Sequence, residues 1–321
     1  MPSSGASAEM AAAAFKKMLT IRRAPARGAA RGIAFIVVIW VLLLLTVILG
    51  GFVVVARTEA LQARFLFDTA QARYAAEAGV SRVIWELRNA DPMSTWVPDG
   101  RSYSMDFADA KVDIEIQDES GKVDINAADP TTLVLLFTAV GVAHDEAEQL
   151  AAAVVDWRDG DDLLTPNGAE DPEYESADLP YGAADAPFTT IGELQQVLGM
   201  DFDLYQKLQN DITIYGGAGR PNAAFASQLG LQTIEGIDPA LAEQLLAARQ
   251  QQHPGDPSSA AVMLPDGTPL LTAGGSGTYT VRSKATLANG TWTLVDATIR
   301  VGGAPGARAY SILRWREGSA D

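Results

Sequence analysis

The sequence contains no cysteine, so no disulfide bond, cysteine metal site or cysteine nucleophile contributes to its structure or chemistry. It has only two histidines, His144 and His253, and neither belongs to an HExxH metal motif. A P-loop and a nucleophile motif are likewise missing. These absences remove the common signatures of catalysis, and we therefore predict that the protein is not an enzyme.

Charge is absent from residues 33–56, where 24 consecutive residues carry no ionisable side chain. As a helix with a rise of about 1.5 Å per residue, this run is about 36 Å long, and the hydrocarbon core of a bilayer is about 30 Å thick. The apolar core of a cleaved signal peptide is shorter, at about 7–15 residues. The run therefore predicts one membrane-spanning helix.

Acidic residues dominate the chain beyond its N-terminus. The formal net charge is −16, yet residues 1–32 hold six Lys or Arg against one Glu, so this stretch carries +5 and the remainder −21. A basic flank before an apolar span is typical of the cytoplasmic side of a membrane. We therefore predict a single-pass membrane protein whose N-terminus stays in the cytoplasm and whose acidic bulk lies across the membrane. The acidic bulk also argues against a nucleic-acid partner.

The periodicity of apolar residues changes along the exported part. After the membrane run, the stripe from Leu61 to Leu87 repeats at helical spacing and predicts a stalk that packs against other helices. We predict that this helix stops at Asp91-Pro92. Alternating apolar and polar residues predict strands over 103–107, 112–116, 279–287, 291–301 and 309–315. Helical patterns fill the stretch between the second and third of these strands.

Strands on both sides of a helical block predict an α+β fold with one small antiparallel sheet interrupted by an inserted helical domain. The predicted segments are a leader (1–32), a transmembrane helix (33–56), a helical stalk with the first strands (57–119), an inserted α-helical domain (120–275) and C-terminal strands (276–317).

The junction Arg31-Gly32-Ile33-Ala34-Phe35 joins a basic leader to the apolar helix. It resembles the type IV prepilin and pseudopilin class, in which a prepilin peptidase cuts after the glycine and methylates the new N-terminus, here Ile33. That class normally has Glu at the fifth mature position, and Val37 stands there in this chain. The minor pseudopilin K of type II secretion systems also lacks this Glu.

Four further stretches are similar to the K-type pseudopilins: residues 74–79 (YAAEAG), 118–127 (DESGKVDINA), 168–171 (GAED) and 310–315 (YSILRW). The resemblance extends over about residues 22–317. It implies a pilin-like fold and a structural role at the tip of the pseudopilus, where the subunit initiates or caps the fibre for export of folded proteins. The implied partners are the I-type and J-type minor pseudopilins, other pseudopilus subunits, the prepilin peptidase and inner-membrane lipid.

A dense acidic stretch is the best candidate site. Ten carboxylates lie between Asp156 and Asp185, with Arg158 as the only cation. The residues alone leave two interpretations open, a solvated acidic loop or a calcium site, because calcium prefers several oxygen ligands and the spacing is not that of an EF-hand. The resemblance to K-type pseudopilins implies calcium binding. The expected ligands are Asp159, Asp161, Glu170, Asp171 and Glu173.

Two helix–turn–helix units, at residues 136–147 and 234–242, favour a rival function. They resemble the helix-hairpin-helix motifs of membrane-anchored DNA-uptake receptors, which bind phosphate through a Gly-apolar-Gly turn. Here the third turn position is Ala143 or Asp238, and Asp145 and Glu146 follow the first turn. Since these acids would repel phosphate, we expect the units to pack against protein. A DNA-uptake receptor and an unrelated anchored periplasmic binding domain remain the alternatives.

Overall fold

The computed structural model describes residues 30–89, 95–252, 262–271, 275–302 and 309–319. The predicted leader lies almost entirely outside these residues, and so does the predicted stop at Asp91-Pro92. The chain divides into two units, Met1–Phe65 and Leu66–Asp321.

One helix, α1, runs through Ala30–Glu86 and contains 57 residues. No proline interrupts it, and its apolar half is rich in Leu, Ile and Val. Because α1 begins at Ala30, the backbone of Gly32 and Ile33 is already helical. The helix ends at Glu86, shortly before the predicted stop.

Five antiparallel strands form one sheet in the order β1-β2-β5-β6-β7. The strands are β1 (Asp99–Phe107), β2 (Ala110–Asp118), β5 (Thr278–Leu287), β6 (Trp292–Val301) and β7 (Tyr310–Ser319). Four of the strands are longer than their predicted stretches, and β6 is one residue shorter. Both β6 and β7 begin one residue later than predicted. The second and third strands of the sequence pattern are direct neighbours in the sheet, although the helical block separates them in the chain.

The sheet packs against the second half of α1. Alternate residues of β2, namely Val112, Ile114 and Ile116, are fully buried, and they share a core with Ala76 and Val83 of the helix. This contact corrects the prediction for the stalk, because part of its apolar stripe is covered by the chain's own sheet. Between residue 66 and the end of the helix, the exposed large apolar side chains are Leu66, Phe67, Tyr74 and Trp85.

Gly79 lies where α1 approaches the sheet most closely. A Cβ atom at this position would lie 2.1 Å from Ser283 Oγ and 3.0 Å from Val112 Cγ1. Since α1 and the sheet would have to separate, we expect Gly79→Ala to lower the free energy of unfolding by about 1–3 kcal/mol, the usual cost of overpacking. Thermal melting of the full chain in detergent measures the effect. Gly50→Ala is the control, because nothing lies within 4 Å of a Cβ there; equal melting temperatures for both variants would contradict the prediction.

The helical block lies between β2 and β5. Its α-helices are α2 (Pro130–Ala139), α3 (His144–Arg158), α4 (Asp171–Ser176), α5 (Phe202–Leu208), α6 (Gln228–Gln232) and α7 (Pro239–Gln250). Two 3-10 helices (Glu119–Gly121 and Ile191–Gln196) and a short parallel pair, β3 (Val123–Asp124) and β4 (Ile212–Thr213), complete it. This architecture confirms the predicted α+β fold class.

Aspartate caps begin three of these helices. Asp129 accepts a hydrogen bond from Thr132 N at 2.7 Å before α2, and Asp201 and Asp238 act in the same way before α5 and α7. An N-terminal cap satisfies a backbone donor that has no partner within the helix. Two of the helices also begin with proline, Pro130 and Pro239, which suits the first turn because it lacks an N–H.

A buried polar network joins the helical block to the sheet. Lys122 Nζ lies 2.6 Å from Glu119 Oε1, and the same oxygen accepts a hydrogen bond from Thr280 of β5 at 2.6 Å. The hydroxyl of Thr213, in β4, donates to the other carboxylate oxygen of Glu119. Charged groups this deeply buried require such partners. The network therefore fixes the start of the helical block on the sheet.

Candidate functional site

The acidic segment, residues 156–185, follows directly from helix α3. Asp156 in the last turn of α3 is fully buried, and both of its oxygens lie 3.3 Å from Thr165 N. Arg158, the only cation of the segment, donates to the backbone carbonyls of Ile125 and Ala128. The guanidinium therefore binds the backbone of the neighbouring element, and the carboxylates are left to face one another.

A short helix lies inside the segment where the sequence predicted a loop. Helix α4 has Pro172 in its first turn, and the side chain of Glu173 accepts a hydrogen bond from Glu170 N at 3.0 Å. This reciprocal capping, which is encoded by a Glu three residues after the cap, was not identified in the sequence. It means that Glu173, one of the predicted ligands, already serves as a helix cap.

An aromatic cluster packs the acidic segment against the core of the helical block. The ring of Tyr174 lies 5.9 Å from that of Trp157, and Phe188 is stacked on Trp157 at 6.2 Å. Tyr174 is fully buried, and its hydroxyl accepts a hydrogen bond from Leu198 N at 3.1 Å. Burial raises the pKa of Tyr174 to about 12. The carboxylates are therefore held on a rigid apolar base.

The carboxylates of the segment disturb one another electrostatically. Burial, then repulsion by Asp156 and Asp185, raises the pKa of Glu170 to about 7. The pKa of Asp159 is also raised, first by burial and then by Asp161 and Asp156. The pKa values of several neighbouring carboxylates rise together when like charges are crowded without cations to balance them. The segment is therefore an electrostatically unsatisfied site.

Two buried oxygens are unsatisfied as well. Within the described residues, Oε1 of Glu170 and Oδ1 of Asp159 have no hydrogen-bond partner, and Glu170 is only 5% exposed. Leaving a buried acceptor unpaired is costly, and a cation is the partner that a carboxylate oxygen accepts most readily. These two oxygens and the all-oxygen donor set fit a hard cation such as calcium.

Two glycines let carboxylates lie directly on the backbone of the segment. A Cβ atom at Gly168 would lie 1.9 Å from Asp156 Oδ2, and one at Gly182 would lie 1.6 Å from Asp171 Oδ1. Neither position accepts a larger side chain without moving the acid. The glycines therefore hold Asp156 and Asp171 within the segment.

The structure distributes the five predicted ligands unevenly. Asp159 and Glu170 supply the buried unpaired oxygens, Asp171 lies against Gly182, Asp161 Oδ1 accepts from Leu163 N at 3.0 Å, and Glu173 caps α4. Asp156 and Asp185, which were not among the predicted ligands, contribute to the same field. Across the described ranges, no three Asp, Glu or His side chains lie close enough together to hold a metal ion as they stand. The five ligands stay predictions.

The N-terminal helix has the properties of a membrane anchor. Of the described helices, one is long and apolar enough to cross a membrane, and its apolar window has no buried residues. Val37 is 53% exposed on this helix. Gly32 and Ile33, the predicted processing site, belong to its first turn. Among the described residues there is thus one candidate span, near the N-terminus.

The two helix–turn–helix units are present as α2–α3 and α6–α7. Val142 N donates to Phe137 O at 3.1 Å across the first turn, and Asp145 and Glu146 occupy the first turn of α3. In the second unit Asp238 caps α7 with its side chain. The anion-binding end of each second helix is thus occupied by an acidic group. The absence of a nucleic-acid partner stays a prediction, on this physical ground.

Part of the chain is similar to known proteins. Residues 114–217 match the family model of type II secretion system (T2SS), protein K. The type II secretion system protein K of Pectobacterium carotovorum subsp. carotovorum is 43% identical over 74 residues, which cover 23% of this chain and 23% of the relative. That of Klebsiella pneumoniae is 26% identical over 200 residues, covering 56% of this chain and 60% of the relative. The alignments thus span less than two thirds of the lengths of these curated relatives.

A solved structure has the same fold. A chain of the GspK-GspI-GspJ complex from the enterotoxigenic Escherichia coli type 2 secretion system superimposes with a TM-score of 0.51 and 20% sequence identity. The match covers 83% of this chain and 99% of that chain. The sequence resemblance to the protein K family is confirmed by these comparisons.

Proposed function

We propose that this chain is a minor pseudopilin at the tip of the pseudopilus, because its residues 114–217 match the family model of type II secretion system protein K. The observation that carries the proposal is the combination of this domain with one N-terminal helix that continues from an apolar span into the core of a sheet. The role is structural and not catalytic: the subunit initiates or caps a fibre that serves the export of folded proteins across the outer membrane.

The proposed location is the inner membrane. Residues 33–56 cross the bilayer, the basic leader stays in the cytoplasm, and the acidic remainder lies in the periplasm. A prepilin peptidase cuts after Gly32 and methylates Ile33. Before assembly the processed helix remains in inner-membrane lipid, and on assembly it joins the core of the fibre.

The apolar residue at the fifth mature position supports a place at the tip. A carboxylate inside lipid is costly unless it is paired. In pilins the Glu at the fifth mature position is expected to pair with the N-terminal amine of a neighbouring subunit. Val37 needs no such neighbour. A subunit with Val37 can therefore be the first of the fibre.

The proposed partners are the I-type and J-type minor pseudopilins, and then the remaining pseudopilus subunits. The structural relative is a component of a complex with GspI and GspJ. In this chain the exposed apolar residues Leu66, Phe67, Tyr74 and Trp85 of α1 offer the contact area. Residues Ala76 and Val83 do not, because the sheet covers them.

Calcium is the proposed cofactor of the helical block. Asp159 and Glu170, with their unpaired buried oxygens, are the proposed primary ligands, and Asp161 and Asp171 complete the donor set from the same segment. Bound calcium would neutralise the crowded carboxylates and so stabilise the helical block. Glu173 takes part only if it leaves the Glu170 backbone N–H.

The mature N-terminus tests the proposed function. Mass spectrometry of the membrane form is expected to show a chain that begins with methylated Ile33, and deletion of the prepilin peptidase is expected to restore the leader. The processed chain should co-purify with the I-type and J-type pseudopilins. An unprocessed Met1, or a chain cut after Ala56, would contradict the proposal.

A further inference from the structure

A cleft lies between the outer face of the sheet and the helical block. Its volume is about 220 Å³, and strands β2, β5, β6 and β7 supply one wall. The opposite wall includes residues 209–211 and 227 of the helical block. Four cationic and three acidic side chains line it, although the chain as a whole has a net charge of −16. The cleft is therefore richer in cations than the rest of this acidic chain.

Strand register explains how the cationic groups converge. Arg282 of β5 is paired with Asp296 of β6, and Asp296 is paired with Arg316 of β7. Arg314, two residues earlier on β7, is opposite Thr298. Residues two apart on a strand share a face, so Arg314 and Arg316 lie on the same face. Val295 and Ala297, on either side of Asp296 in β6, belong to the core, so Asp296 and its register partner Arg316 lie on the opposite, outer face. The arginines therefore share the outer face.

Three guanidinium groups surround one carboxylate. Arg314 Nη2 lies 2.8 Å from Asp296 Oδ1, Arg316 Nη2 lies 3.2 Å from Asp296 Oδ2, and Arg282 Nε lies 3.5 Å from the same Oδ2. A single carboxylate balances only one of the three charges. In addition, Nε of Arg314 is buried and has no hydrogen-bond partner among the described residues. The cluster therefore has spare donors and an excess of positive charge.

The other acidic groups of the cleft act on Lys122 and Arg282. Lys122 is paired with Glu119 at 2.6 Å. Burial raises the pKa of Asp211, whereas its hydrogen bond from Ser227 and the nearby charges of Lys122 and Arg282 act in the opposite direction. Glu115 is the register partner of Arg282. The excess of positive charge therefore lies at Arg314 and Arg316, which share the one carboxylate of Asp296.

We propose that this arginine cleft binds a carboxylate group of an extended acidic segment in a partner protein. Arginine presents its N–H donors in a planar fork that fits a carboxylate with two parallel hydrogen bonds. Strand β7 is the outermost of the described strands on its side of the sheet, so an extended segment can add along its outer edge and direct an acidic side chain to Arg314 and Arg316. Tyr310 and Ile312, whose register partners Val301 and Ile299 face the core side of the sheet, are exposed and provide apolar contacts for the alternate residues of the segment.

Fluorescence anisotropy with the full chain in non-ionic detergent tests the proposal. The probe is a labelled peptide of alternating valine and glutamate with an amidated C-terminus, and the matched peptide has glutamine in place of glutamate. We expect only the glutamate peptide to bind. The double substitution Arg314→Gln/Arg316→Gln is expected to weaken binding by about tenfold or more, because hydrogen bonds to charged groups are stronger than neutral ones.

The control variant changes the same net charge outside the cleft. Lys111→Gln/Arg220→Gln removes two exposed cations, whose side chains are 65% and 48% exposed, and should leave binding unchanged. If the glutamine pair lowers the melting temperature, Arg314→Lys/Arg316→Lys replaces it. This variant keeps both charges but loses the forks, so binding should still weaken.

The outcomes separate the possible sources of the carboxylate. Binding of the glutamine peptide once its C-terminus is left free assigns the site to a terminal carboxylate, and binding of the amidated glutamate peptide assigns it to a side chain. Equal binding of the amidated glutamate and glutamine peptides overturns the proposal. So do an equal loss in the control variant and binding of inorganic phosphate when neither peptide binds.

Discussion

Replacement of Arg249 by alanine is expected to lower the free energy of unfolding by about 3–5 kcal/mol, the usual cost of removing one partner from a buried charge pair. Arg249, in the last turn of α7, is 3% exposed, and burial lowers its pKa. Its Nη1 donates to Ala223 O at 2.9 Å and Ala226 O at 2.7 Å, and its Nη2 donates to Asp99 O at 3.2 Å. The substitution leaves three buried carbonyls with one donor fewer.

The same side chain holds the edge of the sheet. Arg249 Nε lies 3.4 Å from Asp99 Oδ2. Arg101 also binds this carboxylate, with Nε donating to Oδ1 and Nη2 donating to Oδ2, both at 2.8 Å. Arg101→Ala is the matched control, since its side chain is 24% exposed and water can replace part of what is lost. Thermal or denaturant unfolding of both variants decides the matter. A loss for Arg249→Ala no larger than that for Arg101→Ala would contradict the prediction.

Substitution of Glu170 by glutamine is expected to have opposite effects with and without calcium. In the calcium-free protein the pKa of Glu170 is about 7, against an ordinary value of 4.5. Between these values the folded state holds a proton that the unfolded state has released, so the free energy of unfolding falls as the pH rises. Glutamine cannot ionise. Above about pH 7, calcium-free Glu170→Gln should therefore melt at a higher temperature than the unsubstituted chain.

With calcium present, the order should reverse. A ligand at about one hundred times its dissociation constant stabilises a folded protein by about 2.7 kcal/mol, and the unsubstituted chain should gain on this scale. Glu170→Gln should gain much less, because it lacks a charged ligand. Differential scanning fluorimetry with calcium and with a chelator measures both effects.

Glu175→Gln provides the control for this experiment. Glu175 belongs to the same helix α4, is exposed, and changes the net charge equally. It should behave like the unsubstituted chain in both conditions. Stabilisation of Glu170→Gln by calcium to the full extent would exclude Glu170 as a ligand, and an absence of calcium stabilisation in all three proteins would end the calcium proposal.

The sequence predicts the elements of this fold well where local chemistry decides them. The predicted helix–turn–helix unit at residues 234–242 is present, and its second helix, α7, begins at Pro239 because an aspartate cap and a proline define its start. The strands follow from the alternation of residues such as Val112, Ile114 and Ile116. Helix α4 was not predicted from the sequence. Its cap is formed by Glu170 and Glu173, and in such an acidic segment these two residues look like any other members of the charge run.

The site could be located but not resolved from the sequence. Charge density marked residues 156–185, yet it does not show which carboxylates are buried. Asp156 was passed over although it is fully buried, because its helical position beside Trp157 becomes apparent only when α3 packs. The arginine cleft was also missed, since Arg282, Arg314 and Arg316 are brought together by strand register across distant parts of the chain.

The pairing of β2 with β5 has a consequence for the order of folding. Asp118 is the register partner of Tyr279, so the middle of the sheet cannot close until the chain has emerged far beyond the helical block. Contacts of such long sequence separation form slowly, whereas local helical contacts form early. While the chain is being synthesised, the β1–β2 hairpin must therefore wait with the β2 edge unpaired until the later segments arrive. A chaperone that shields this nascent edge would accordingly act on the early hairpin rather than on the completed subunit.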